Sequence, residues 1–357
     1  MADLFSPTKL GRLALANRIV MAPMTRSRAT DDGTPTDLMT DYYAQRASAG
    51  LVVSEGIYPS EDGKGYCRTP GLVTAGHVAG WKKVTDAVHA AGGTIVAQIM
   101  HCGRVGHMDN KQPGTDLVSP SGIRARGDMF TDTAGMQPIS ETRALAADEI
   151  PGVIAEFGRA TELAYDAGFD GVEAHCASGY LPAQFLSTGS NTRDDEWGGS
   201  AENRIRFAVQ AIEAMAAVDG GDRVGFRICP GNPFNDLSDA DPVETFQTFL
   251  GALRAKALAY CHVIRLNSIP NAPDIDNVAL AGEAYGQPLI ANDSYGLDEA
   301  KSAVGADTVA AVAFARSYIG NPDLVERFRA GAELSRFDRH KLYSEGPEGY
   351  SDYPVLD

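Results

Sequence analysis

The sequence predicts one α/β domain over residues 1–357, a (β/α)8 TIM barrel, and three observations predict it. Eight short apolar runs alternate with longer amphipathic segments. Most of the runs are apolar nearly throughout, as parallel strands covered on both faces are. No run is followed by GxGxxG, the glycine turn of a dinucleotide-binding sheet, so eight strand–helix units read as one closed barrel rather than two Rossmann halves.

Residues 1–17 precede the repeat, and their turn-rich LGRLALAN predicts a hairpin across the barrel floor. The strands follow as RIVMAPM (18–24), LVVSEGI (51–57), TIVAQIM (94–100), GVEAH (171–175), RVGFRI (223–228), CHVIRL (261–266), PLIAND (288–293) and TVAAVAF (308–314). Helices are predicted over 75–91, where Val78, Trp81, Val84 and Val88 share a face, and over 151–167, where Val153, Phe157, Ala160, Leu163 and Ala164 recur at helical spacing. Residues 201–217 and 241–257 behave similarly. Gly92–Gly93 and Gly168 stand where helix C-termini need a left-handed residue. Residues 103–146, rich in Gly, Pro and Thr and without sustained period, break the repeat. A connection that long, on the side where barrel sites form, predicts an inserted capping segment or lid after the third strand.

The net charge of −16 argues against nucleic acid or an anionic membrane surface as a partner. The five cysteines are far apart and form no CxxC, so neither a common zinc spacing nor a disulfide framework is indicated, and no metal is expected. No window approaches 18 apolar residues, and MADLFSPTKL lacks the basic-then-apolar pattern of a signal peptide. A cytoplasmic protein is expected. A monomer and a homodimer both fit, with the Tyr-rich tail after residue 343 a candidate subunit contact.

Chemistry in such a barrel lies at the C-terminal rim, so polar residues that end apolar strands are candidates. The rim reads Thr25, then Glu55 and Gly56, Gln98 and His101, His175 with Ser178 and Tyr180, Arg227, Arg265 and Asn267, Asn292 to Ser294, and Arg316. Arg227 inside VGFRI is costly to bury without an anion or a strong acceptor. Pairing with Glu173 is the simpler reading. With Arg316, placed where barrels hold phosphate, it points to one extended anionic ligand. His175 alone reads slightly better as a core histidine hydrogen-bonded to a neighbour. Ser178 and Tyr180 beside it favour a site that donates hydrogen bonds to an oxygen gaining charge.

Over nearly its whole length, and most specifically in NRIVMAPMTR, QIMHCGR, GFDGVEAHCASGYLPAQFLS, NTRDDEWGGSAENRIRF and NPDLVERFRAG, the sequence resembles the old yellow enzymes, FMN-dependent ene-reductases on a (β/α)8 barrel. The resemblance implies tightly bound FMN, NADPH or NADH as reductant, and a small unsaturated carbonyl or quinone-like substrate. It implies Pro23, Met24 and Thr25 beside the flavin, Gly56 and Gln98 at its pyrimidine ring, and Arg227 at N1 and C2=O. The phosphate end falls to Arg316, with Ala315 and Asn292, Asp293 and Ser294 nearby. His175 and Ser178 would bind the carbonyl oxygen, Tyr180 would protonate the carbon α to it, and Tyr66, Met100 and Tyr343 would line the substrate pocket.

Two positions depart from the family pattern. HxxN or HxxH is usual at the fourth strand, and here Ser178 offers one short hydroxyl. Three outcomes are open: a water bridging Ser178 to the carbonyl, a bulkier substrate that sits closer, or poor turnover of simple enones. A larger or polycyclic unsaturated ketone or quinone is favoured. At the seventh strand a glycine-rich loop is usual, and here Asp293 must turn away from a phosphate or pair with Arg316 or Lys301. Competing readings are a flavin-mediated isomerase or desaturase and a non-catalytic flavin- or phenol-binding protein. A barrel aldolase would need a strand lysine or a metal cluster at the rim, which the runs lack, and an iron–sulfur reductase would need clustered cysteines and a further domain.

Overall fold

Every predicted run contains a strand in the computed structural model, which describes residues 2–356. The strands are β1 (Ile19–Met21), β2 (Leu51–Ile57), β3 (Ile95–Ile99), β4 (Gly171–His175), β5 (Val224–Ile228), β6 (Tyr260–Ile264), β7 (Leu289–Asn292) and β8 (Ala311–Phe314). All pair in parallel with their neighbours, and β8 pairs with β1 to close the barrel. β1 is shorter than its run because Pro23 has no N–H to donate to a ladder. β8 starts late because Thr308 still caps the preceding helix, its N–H on the Ala303 carbonyl at 3.2 Å.

Strand parity decides what the barrel holds. Val172, Ala174, Phe226, Ile228, Cys261 and Val263 point outward into a layer shared with the helices, where Trp81, Phe157 and Phe207 are fully buried. The opposite parity points inward. At the floor it supplies Val20, Leu51, Val53, Val96, Tyr260 and Ile290, sealed by Leu10, Leu13 and Leu15. Those leucines come from the expected N-terminal hairpin, Thr8–Leu10 against Leu13–Leu15. Gly225 leaves room for the Tyr260 ring, since a Cβ there would lie 2.3 Å from its Cζ. Two residues further along each strand, the same parity turns Gln98, Glu173, Arg227, His262 and Asn292 inward, and all five are buried. The upper barrel is therefore polar, which an apolar core layer never requires.

Helices span Ala75–Ala90, Ile150–Asp166 and Pro242–Leu253, close to expectation. The predicted 201–217 helix is two pieces, Ala201–Arg204 and Arg206–Asp219. At the break the buried Arg204 guanidinium anchors to the Leu186 carbonyl (2.9 Å) and the Thr245 hydroxyl (2.7 Å). Gly92 (φ 80°) and Gly168 (φ 88°) adopt the left-handed conformation just past helix ends; Gly93 does not.

Residues 103–146 carry a hairpin of Asp128–Thr131 and Gly135–Pro138 and a short parallel pair, Val118–Ser119 with Arg143–Ala144. Lys111 pins this segment to the loop after β2 by donating to the carbonyls of Glu61, Asp62 and Lys64 at 3.0, 3.0 and 2.9 Å. The Tyr-rich tail folds back on its own barrel. Tyr350 stacks on Tyr42 at 4.1 Å, Arg26 donates to the Gly349 carbonyl (2.6 Å), and Arg28 donates to those of Leu342 and Lys341 (2.7 and 2.9 Å). No described helix is long and apolar enough to cross a membrane.

Candidate active site

A cavity of about 670 Å³ opens over the C-terminal ends of the strands, within the range of small-molecule sites. Its walls bring together Pro23 and Thr25 after β1, Gly56 in β2, Gln98 in β3 with Met100 just beyond, and Arg227 in β5. His175, Ser178 and Tyr180 stand on one side, and Tyr66 and Tyr343 also line it. A ladder irregularity between Val53 and Gly56 twists the end of β2.

Arg227 has no carboxylate within ion-pair distance among the described residues, so the pairing with Glu173 is not made. Glu173 instead accepts from the Gln98 amide (2.7 Å) and from His262 Nδ1 (2.9 Å). Burial pushes the Glu173 carboxyl up, but His262, Arg227 and Gln98 outweigh that and hold it below its ordinary value. Burial, reinforced by Arg227, lowers His262 despite the carboxylate beside it. The pair is thus carboxylate and neutral imidazole. Arg227 meets only a neutral acceptor, donating Nη2–H to the Asn292 amide oxygen at 2.6 Å, while its buried Nε has no protein partner. A buried cation with an unanswered N–H, beside an amide and a side-chain-free glycine, fits the electron-rich edge of a flavin.

Ser178 holds a left-handed backbone (φ 58°), and its carbonyl accepts from the Asn235 amide at 2.8 Å. His175 is buried with Nδ1 unpartnered. Burial, then the nearby charge of Arg227, keeps it well below the usual imidazole value and therefore neutral. Tyr180 immediately precedes the helix Leu181–Leu186, and its ring lies 4.9 Å from that of His175. Its hydroxyl sits 3.0 Å from the Tyr66 hydroxyl. Burial, then Tyr66, raises Tyr180 well above the ordinary phenol value.

Other predicted residues lie outside these walls: Met24, Asn292, Asp293, Ser294, Ala315 and Arg316 do not line the cavity. Asn292 reaches it only through Arg227. Asp293 and Ser294 turn back in left-handed conformation (φ 83° and 59°). The Asp293 carboxylate accepts from the Ser268 hydroxyl (2.6 Å) and amide (3.1 Å) and pairs with Arg316 at 3.3 Å. It is therefore both turned and paired. Arg316 itself is largely exposed. Arg265 is committed to structure, donating to the Asp293 carbonyl and pairing with Glu299.

Sequence reasoning missed Phe234 and Asn235 in the loop after β5, Phe130 and Met136 on the inserted hairpin, and His340 and Ser344 in the tail, all of which line the cavity. Phe130, Met136, Phe234 and Tyr343 are 46, 61, 57 and 57% exposed, an unusual apolar rim around one mouth. Burial alternates along Asp128–Thr131, but its sequence sets Met129 beside Phe130, so no period-two signal marked this hairpin.

The family model described as NADH:flavin oxidoreductase / NADH oxidase matches residues 3–335. A Leishmania infantum protein described as "Probable flavin mononucleotide-dependent alkene reductase" is 39% identical over 99% of this chain and 97% of its own. The 12-oxophytodienoate reductase 1 of Oryza sativa subsp. japonica is 38% identical over 99% and 93%. Among solved structures, morphinone reductase in complex with tetrahydroNAD superposes with a TM-score of 0.94 at 42% identity, covering 100% of this chain and 98% of that one. The old yellow enzyme homologue from Zymomonas mobilis gives 0.96 at 36%, covering 99% and 100%.

Proposed function

The chain belongs to the NADH:flavin oxidoreductase / NADH oxidase family, the old yellow enzymes, and is an FMN-dependent oxidoreductase; from that premise we propose that it reduces the alkene of a bulky, largely apolar α,β-unsaturated carbonyl or quinone-like compound. One observation carries the reading: a single cavity sets an unpaired buried cation against a neutral imidazole, a hydroxyl and a buried phenol, under an apolar rim.

Pro23, Met24, Thr25, Gly56, Gln98 and Arg227 would hold the ring of FMN, and Asn292, Asp293, Ser294, Ala315 and Arg316 its phosphate end. FMN, once reduced by NADH or NADPH, supplies the hydride. His175 and Ser178 donate to the substrate carbonyl oxygen, where charge grows as the alkene is attacked. Tyr180 keeps its proton until the α-carbon becomes basic, as an acid of high pKa should. Tyr66, Met100 and Tyr343 shape the substrate's apolar surroundings, and residues 103–146 act as a cap. Its unpaired cysteines, four of the five buried, support a cytoplasmic setting.

Anaerobic addition of NADPH to the FMN-loaded protein tests the function. Bleaching of the yellow protein, followed by reoxidation on adding an unsaturated ketone, is expected. Product formed without net consumption of nicotinamide would favour an isomerase, and no bleaching with retained phenol binding would favour a binding protein.

A further inference from the structure

We infer that Tyr66 is the relay through which Tyr180 recovers its proton after each turnover. The inference rests on the proposal that Tyr180 protonates the substrate. The two hydroxyls are 3.0 Å apart, and no other described protein group hydrogen-bonds the Tyr180 hydroxyl. Both tyrosines line the cavity, but Tyr180 is 8% exposed, whereas Tyr66 is only partly buried. The rings meet edge to face, at 73° and 6.3 Å.

A phenol that has given up its proton in this pocket becomes a buried anion, beside a histidine held neutral and a phenol of high pKa. Such an anion is costly until it is reprotonated. Proton transfer also needs a donor already within hydrogen-bond reach. The steps balance. The Tyr180 O–H bond breaks as the C–H bond forms at the α-carbon, and the Tyr66 O–H bond breaks as the Tyr180 O–H bond is restored. Tyr66 then takes a proton from water in the cavity mouth. One solvent proton reaches the product per turnover, and no oxidant or reductant is needed beyond those of the alkene reduction.

The backbone holds Tyr66 ready for this. Its carbonyl accepts from the Thr69 hydroxyl at 3.1 Å, and the preceding Gly65 carbonyl accepts from the Asn110 amide at 3.3 Å. Gly65 itself passes so close to the inserted segment that a Cβ would lie 2.2 Å from the Val105 carbonyl oxygen. Tyr66 is therefore fixed between the β2 loop and the cap. A residue that merely shaped the pocket would not need its hydroxyl at the one place where Tyr180 presents its own.

The relay acts after the first proton has been delivered, which separates it from a packing role. In the FMN-loaded protein with 2-cyclohexenone, single-turnover and steady-state rates are compared for wild type, Tyr66→Phe, Tyr180→Phe and the double variant. The expected result for Tyr66→Phe is that later turnovers slow about ten-fold relative to the first, a modest share of what proton-transfer groups contribute. The double variant should be no slower than Tyr180→Phe. In unreacted protein carrying Cζ-labelled tyrosine, the Tyr180 NMR resonance should move in Tyr66→Phe. An unchanged ratio of later to first turnovers, or an unmoved resonance, overturns the relay. A Tyr180→Phe variant that reacts at the wild-type single-turnover rate instead removes the proton donor, and the reading beneath the relay fails with it.

Discussion

Arg227 places its guanidinium 2.6 Å from the amide oxygen of Asn292 and finds no carboxylate, although Glu173 lies two strand positions before His175 on the neighbouring β4. Glu173 is spoken for by Gln98 and His262, so the cation stays available. Charge-assisted hydrogen bonds are worth roughly 1.5–3 kcal/mol each. Arg227→Met should therefore weaken FMN binding by about ten-fold or more, read from the fluorescence of free FMN in titrations of the apoprotein. Affinity equal to wild type would show that the ring does not use this cation.

Ser178→Asn should raise turnover of 2-cyclohexenone by about ten-fold, since a missing oxyanion donor typically costs 10²–10³ in rate. The left-handed backbone at φ 58° favours the change, because asparagine tolerates that region better than most residues. Steady-state rates that stay level or fall would mean the serine hydroxyl already serves the carbonyl.

The apolar mouth should matter in proportion to substrate size. Phe234→Ala is expected to raise KM for a polycyclic enone by about ten-fold, the worth of one lost apolar contact of 1–3 kcal/mol, with little effect on 2-cyclohexenone. Equal changes for both substrates would argue against a rim that selects bulk.

Glu55 gives a pH signature. Buried beside Arg26, whose amide donates to it at 3.0 Å, its carboxyl is pushed up by burial from 4.5 to about 7. The folded state thus holds this proton more tightly than the unfolded chain. That contribution to stability is fully present below pH 4.5 and is lost as pH rises through about 7. Glu55→Gln should leave the melting temperature near wild type at pH 5 and raise it at pH 8.5, by up to ~3 kcal/mol of stability. Melting curves that differ equally at both pH values would refute the shift.

Much of this was open to reading in the chain itself. Period-two parity places Gln98, Arg227 and Asn292 on the inner face together, and an arginine within VGFRI marks a place that needs an acceptor before any coordinate is known. His175, Ser178 and Tyr180 were legible because a strand end delivers them within six residues. Asn235 was not, since its amide meets the Ser178 carbonyl across 57 positions of chain. The Tyr66–Tyr180 contact spans 114. Propensity and period report local geometry, and such pairings are settled only when loops from different strands dock. Asn292, Asp293, Ser294, Ala315 and Arg316 were legible as rim residues, but the sequence does not show that they lie outside the cavity walls.

Arg26 and Arg28, just past β1, grip the carbonyls of residues 341–349, and Tyr343 of that segment walls the cavity. One wall of the pocket is therefore completed by a segment that follows every barrel strand in the chain. Proteolysis within residues 341–350 of the mature molecule should for the same reason blunt substrate selection well before it unfolds the barrel.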